Sequence, residues 1–114
     1  MTNPTKKKKA MRAASASTTI RILRPANQAN VRSDFTTSGD YGGASANSSI
    51  VCTINHPNGQ QFSSGPFPPN GVNTWSFDFT NIPTTNGQFA DLTAELHAAD
   101  GAFLASSGIQ IIVT

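Results

Sequence analysis

One cysteine, Cys52, stands in the whole of this 114-residue sequence. A single thiol excludes an internal disulfide, a cysteine zinc site and a Cys-x-x-Cys redox pair, so stability has to come from packing. No apolar run approaches the roughly 18 residues that a membrane-spanning helix needs. Charged residues make up 12% and hydrophobic residues 37%, both below the usual globular share, and Ser, Thr, Asn, Gln, Gly and Pro fill the deficit. That polar but uncharged texture suits an all-β domain with many turns. The basic N-terminal stretch is followed at residues 10–19 by alternating small and polar residues with no apolar h-region, so it does not read as a secretory signal. The expectation is a protein that stays where it is made, leaves by another route, or is a piece of a longer chain.

Lysine and arginine are absent from residue 33 to residue 114, while every Asp and Glu lies from Asp34 onward. The formal charge of +2 therefore conceals a cationic end and an anionic remainder. Lys6, Lys7, Lys8, Lys9 and Arg12 belong to a segment, residues 1–18, that has no apolar periodicity and buries too little to offset its ordering entropy. It is expected to be a disordered basic arm. Residues 19–114 have room for one modest core of about 95 residues and no second domain. Arg21, Arg24 and Arg32 sit at the start of this body and give it a basic edge.

Within the body the apolar residues recur with period two. Thr19-Ile20-Arg21-Ile22-Leu23 is a β-branched run stopped by Pro25, and Val31, Ser33, Phe35 and Thr37 alternate up to Gly39. Ile50, Cys52 and Ile54 share one face, followed by a His56-Pro57-Asn58-Gly59 turn and a short return strand near residues 60–63. Pro66, Pro68 and Pro69 make an irregular crossing between sheets. Trp75, Phe77 and Phe79 alternate with Ser76, Asp78 and Thr80, the pattern of a half-buried antiparallel strand. Residues 90–98 are rich in helix-forming Ala, Leu and Glu, yet strict alternation over nine residues favours a strand. Asp100-Gly101 marks a hairpin into a last strand bearing Ile109, Ile111 and Val113. About seven strands with turns every 8 to 12 residues predict an antiparallel Greek-key β-sandwich.

The stretches IRILRPANQANVRSDFTTSG, NTWSFDFTNIP and LTAELHAADGAFLASSGIQIIVT resemble the bacterial immunoglobulin-like (Big-type) domains, small sandwich modules of surface and secreted proteins. The likeness covers about residues 19–114. It implies an immunoglobulin-like fold, an extracytoplasmic or cell-surface setting and a structural or adhesive role; its motifs are turn and strand patterns, so they specify fold and not activity.

Few residues carry chemistry. The Lys6–Lys9 run with Arg12 suits polyphosphate surfaces, because each cation placed on a phosphate releases a counterion; it has no interleaved aromatics for base stacking. A solvated leader, an interdomain linker or a solubility tail is the competing reading, and attraction of the arm to the acidic body at low salt, released as salt screens it, is the third. Asp91, Glu95 and His97 form an outward row too spread to converge on a metal, and no Asp-x-Asp spacing among Asp34, Asp40 and Asp100 supports calcium. No Gly-x-Ser-x-Gly elbow and no carboxylate placed to orient His56 or His97 points to an enzyme. Tyr41, Phe62, Phe67, Phe89 and Phe103 lie in or beside loops, and Tyr41 and Phe67 are the candidates for stacking on sugar rings. Trp75 reads as the core anchor, and Cys52, between Ile50 and Ile54, as a buried inert thiol. Asn47-Ser48-Ser49 matches a glycosylation sequon, meaningful only in a eukaryotic secretory setting.

The expectation is a non-catalytic module without cofactor or metal, engaging another protein or a cell-surface component through loops 39–48, 64–73 and 81–89 or through sheet edges. Nucleic-acid or anionic-surface binding by the arm is the alternative, and carbohydrate binding the third.

Overall fold

The structure is a computed structural model and describes residues 18–45 and 47–114. The expected arm, with Lys6, Lys7, Lys8, Lys9 and Arg12, lies outside the described residues apart from Thr18. Eight strands follow: β1 (Thr19–Arg24), β2 (Ala29–Val31), β3 (Phe35–Gly42), β4 (Ser49–Asn55), β5 (Gln61–Ser63), β6 (Thr74–Phe79), β7 (Ala90–His97) and β8 (Phe103–Val113). No helix occurs among the described residues, so none is long and apolar enough to cross a membrane. The strands form a three-stranded sheet ordered β1-β3-β6 and a five-stranded sheet ordered β2-β8-β7-β4-β5. Every pairing is antiparallel except β2 with β8, which is parallel.

The number of strands corrects the expected seven, and the difference arises at the start of the body. Val31 to Thr37 is not one strand. Val31 ends β2 in the five-stranded sheet, whereas Phe35 opens β3 in the other. Between them Asp34 Oδ1 accepts from the Asn81 amide at 2.8 Å, and Ser33 O accepts from the Ile82 amide at 3.1 Å, which fixes the crossing. The chain also changes sheet between β1 and β2, where Pro25 lacks a donor and cannot extend the ladder. β3 runs past Gly39 to Gly42. A Cβ on Gly39 would stand 1.8 Å from the Arg21 carbonyl oxygen and 2.8 Å from Trp75 Cζ2, so glycine here permits β1 and Trp75 to close on β3.

The core lies between the sheets. Ile50, Cys52 and Ile54 of β4, Ala90, Leu92, Ala94 and Leu96 of β7, and Ile111 and Val113 of β8 point inward from the larger sheet. They meet Ile20, Tyr41, Trp75 and Phe79 from the smaller one. Trp75 is 1% exposed, and its Nε1 donates to Asp40 O at 3.3 Å. Each of the Ile, Leu, Val and Phe side chains among them contributes about 1.5–3 kcal/mol of burial. β7 thus obeys its alternation and not the helix propensity of its residues.

The Pro66–Pro69 segment does cross between sheets, leading from β5 to β6. On the way Phe67 exchanges two backbone hydrogen bonds with Ile50, at 2.8 and 3.0 Å. Ser64 Oγ accepts from the Cys52 amide at 2.9 Å. The Asn70 side chain then lies along the outer edge of β6, accepting from Ser76 N at 2.8 Å and donating to Ser76 O at 3.0 Å. These contacts take up ladder groups that a bare strand edge would present to another chain.

Candidate binding surface

The outer face of the five-stranded sheet is ordered by its register. Asn55 of β4 pairs with Gln61 of β5 and with Asp91 of β7, and Asp91 pairs with Gln110 of β8. The four residues form one cross-strand row of amides and a carboxylate, with neighbours about 4.8 Å apart in backbone spacing. Gln61 Nε2 donates to Asn55 Oδ1 at 2.8 Å, which orients one end of the row, and at the other end Asn27 Oδ1 accepts from the Gln110 backbone N–H at 2.9 Å, which holds the Asn27 side chain beside it. The next row is Ser63, Thr53, Thr93 and Gly108, hydroxyls with a gap where Gly108 has no side chain. Over that gap lies an open groove of about 460 Å³ lined by Asn27, Asn55, Asp91, Thr93, Gly108 and Gln110, with Ile109 beside it. None of the five strands contains a lysine or arginine.

A second hollow, about 600 Å³, opens between β1 and β8 and is lined by Thr18–Arg21, Asp40, Tyr41, Asn73, Ala105 and Ser106. Across its rim Arg21 donates Nε to Asp40 Oδ1 at 2.9 Å and a second N–H to Oδ2. These hydrogen bonds hold the Asp40 carboxyl below the usual carboxylate range and raise the Arg21 guanidinium further.

The aromatics singled out in the sequence do not form a platform. Tyr41 is not in a loop: it lies in β3 opposite Ile20 and is 8% exposed, because the glycines around it continue the strand. Phe67 is half-buried and stacks on Phe77 at 5.4 Å, and Phe77 meets Phe79 at 4.9 Å. Phe89 and Phe103 are exposed, yet they flank opposite ends of β7.

Both histidines and Asp100 are engaged by neighbouring groups, and Cys52 is buried. His56 is buried; its Nε2 donates to Pro83 O at 3.1 Å, and its Nδ1 accepts from the Asn58 amide at 3.1 Å. The other imidazole, His97, meets Glu95 Oε1 at 3.0 Å and Gly101 O at 3.3 Å, which corrects the expectation that no carboxylate is placed to orient a histidine: the two side chains share a face two residues apart, with Phe103 set edge-on at 5.9 Å. Asp100 Oδ1 accepts from Ala102 N at 3.0 Å within the hairpin turn. Among the described residues no three His, Cys, Asp or Glu side chains gather to hold a metal. Cys52 is buried without exposure, and burial pushes its thiol up to about 12.

Of the groove residues, the sequence singles out only Asp91, as part of an outward row and not of a groove. The one available signal was Gly108, an isolated glycine inside a strand pattern.

No family model matches the sequence, and no curated protein sequence matches it. Solved structures do share the fold. An endo-β-1,4-mannanase from Thermotoga petrophila superposes with a TM-score of 0.60 at 13% identity, over 85% of this chain and 20% of that one. A lytic polysaccharide monooxygenase from Jonesia denitrificans, solved by neutron crystallography, superposes with a TM-score of 0.53 at 13% identity, over 79% of this chain and 60% of that one. The chain thus spans less than two thirds of either protein, and at this identity the likeness is one of fold.

Proposed function

We propose that this chain is a non-catalytic immunoglobulin-like module of the bacterial (Big) type, with a structural or binding role at a cell surface. The observation that carries the reading is the strand order. β1, β3 and β6 form one sheet, β8, β7, β4 and β5 the other, and the opening segment is divided between them as β1 and β2. Consecutive strands repeatedly change sheet, as they do in a Greek-key immunoglobulin-like sandwich, and this supports the reading. Its loops and edges offer recognition surfaces, while the titratable groups described above serve turns and pairings.

The test is sedimentation of the labelled chain with intact cells of the producing organism, compared with a form lacking residues 1–12. The reading predicts equal retention of both forms, little affected by salt. Retention lost on deletion and steeply salt-dependent would instead assign binding to Lys6–Lys9 and Arg12.

Carbohydrate binding is the second reading, favoured by two observations. The two solved structures named above are, by name, proteins acting on polysaccharides. The amide row beside Gly108 also provides groups that donate and accept hydrogen bonds, as sugar hydroxyls do.

A further inference from the structure

Gly39 and Gly108 both lie inside strands, and only one of them is demanded by the fold. A Cβ on Gly39 would collide with backbone, as described above. At Gly108 the nearest atoms to a Cβ would be Thr93 Cγ2 at 3.6 Å and Leu92 O at 3.8 Å, ordinary contacts, and the backbone is not in the left-handed region. A glycine in a strand interior costs backbone entropy and forgoes side-chain packing. No steric or conformational need explains it here. What the missing side chain does is keep the groove between Asp91, Thr93, Asn27 and Gln110 open.

The rim restricts the occupant. It holds the exposed carboxylate of Asp91 and the amides of Asn27, Asn55 and Gln110, with the Thr93 hydroxyl and methyl beside the glycine. Glu95 lies farther along β7 on the same outward face, and no strand of this sheet carries a lysine or arginine. An anionic ligand would meet negative charge with no lysine or arginine in the strands that form this face. A neutral polyhydroxylated ligand finds alternating donors and acceptors, with a flat floor of glycine backbone and a threonine methyl for its apolar face.

We propose that the groove over Gly108 binds a neutral polysaccharide chain, with Asp91, Asn55 and Gln110 hydrogen-bonding its hydroxyls. This rests on the carbohydrate reading above and assigns it to a site away from Tyr41 and Phe67.

The test is a ¹⁵N-NMR titration of the full chain with mannohexaose and, separately, cellohexaose, up to about 10 mM, a range that detects millimolar affinity. Gly108→Gln places a side chain in the groove with its Cβ in ordinary contacts, and Asp91→Ala removes one rim group from an exposed position; thermal melts of both check folding. The expected result is saturable shifts at the amides of Asn55, Asp91, Thr93, Gly108 and Gln110, with binding weakened about tenfold or more in either variant. Saturable binding that neither variant weakens, with shifts centred elsewhere, overturns this site and leaves the carbohydrate reading standing. No shift with either sugar overturns both.

Discussion

Cys52 shows how far a single residue's behaviour follows from its place. Its neighbours on the β4 face, Ile50 and Ile54, are fully buried like itself, and the desolvated thiol is held up to about 12, from an ordinary value of 9.0. The thiol should therefore resist alkylation in the native chain at neutral pH and react only when the chain unfolds. The sign of the pH effect follows. Below about pH 9 the thiol is protonated in both states and contributes nothing to pH dependence. Above it the unfolded thiol ionises while the folded one does not, so stability falls as pH rises from about 9 towards 12. Denaturant titrations of native protein and of Cys52→Ala at pH 8 and pH 10 measure this. The native protein should lose more stability between the two pH values than the variant, since their other titrating groups are the same. The buried face of Cys52 was legible because alternation with Ile50 and Ile54 marks it. Gly108 was not: a glycine contributes nothing to an apolar pattern, and only the room for a Cβ separates it from Gly39.

At the scale of the element, alternation served well wherever a strand has one buried face, as in β4, β6 and β7. It failed where the chain changes sheet. Val31, Ser33, Phe35 and Thr37 keep period two across a crossing, and period two carries no information about which sheet a residue joins. Likewise the glycines near Tyr41 read as a loop, although Gly39 and Gly42 sit within β3. Edge protection was equally invisible, because it depends on a side chain folding back on a strand. Asn70 supplies this for β6 by pairing with both backbone groups of Ser76. Asn70→Ala should cost about 1 kcal/mol for the lost hydrogen bonds. It should also bare the β6 edge and increase self-association. Denaturant titration together with analytical ultracentrifugation at rising concentration tests both effects; a variant that stays monomeric with unchanged stability would remove Asn70 from this role.

For the molecule as a whole, the charge division is sharper than the formal total suggests. The body carries Arg21, Arg24 and Arg32 against six carboxylates, a net charge of about −3. Its cations are confined to β1 and the segment that follows β2, and Arg21 is paired with Asp40. The five-stranded sheet is left with an uncharged and weakly anionic outer face, while the smaller sheet carries the basic edge. Overall class and most strands were legible because they rest on local alternation and turn chemistry. The groove was not, because it is made by residues from three strands and the Asn27 turn brought into register only by folding.

The most direct test of the central claim, binding without turnover, is to incubate the purified chain with β-mannan and with cells of the producing organism, and to follow retention and soluble products together. Reversible retention by residues 19–114, with no neutral or oxidised oligosaccharide released, is the predicted result. Release of oligosaccharides, or retention that depends wholly on residues 1–12, would contradict it.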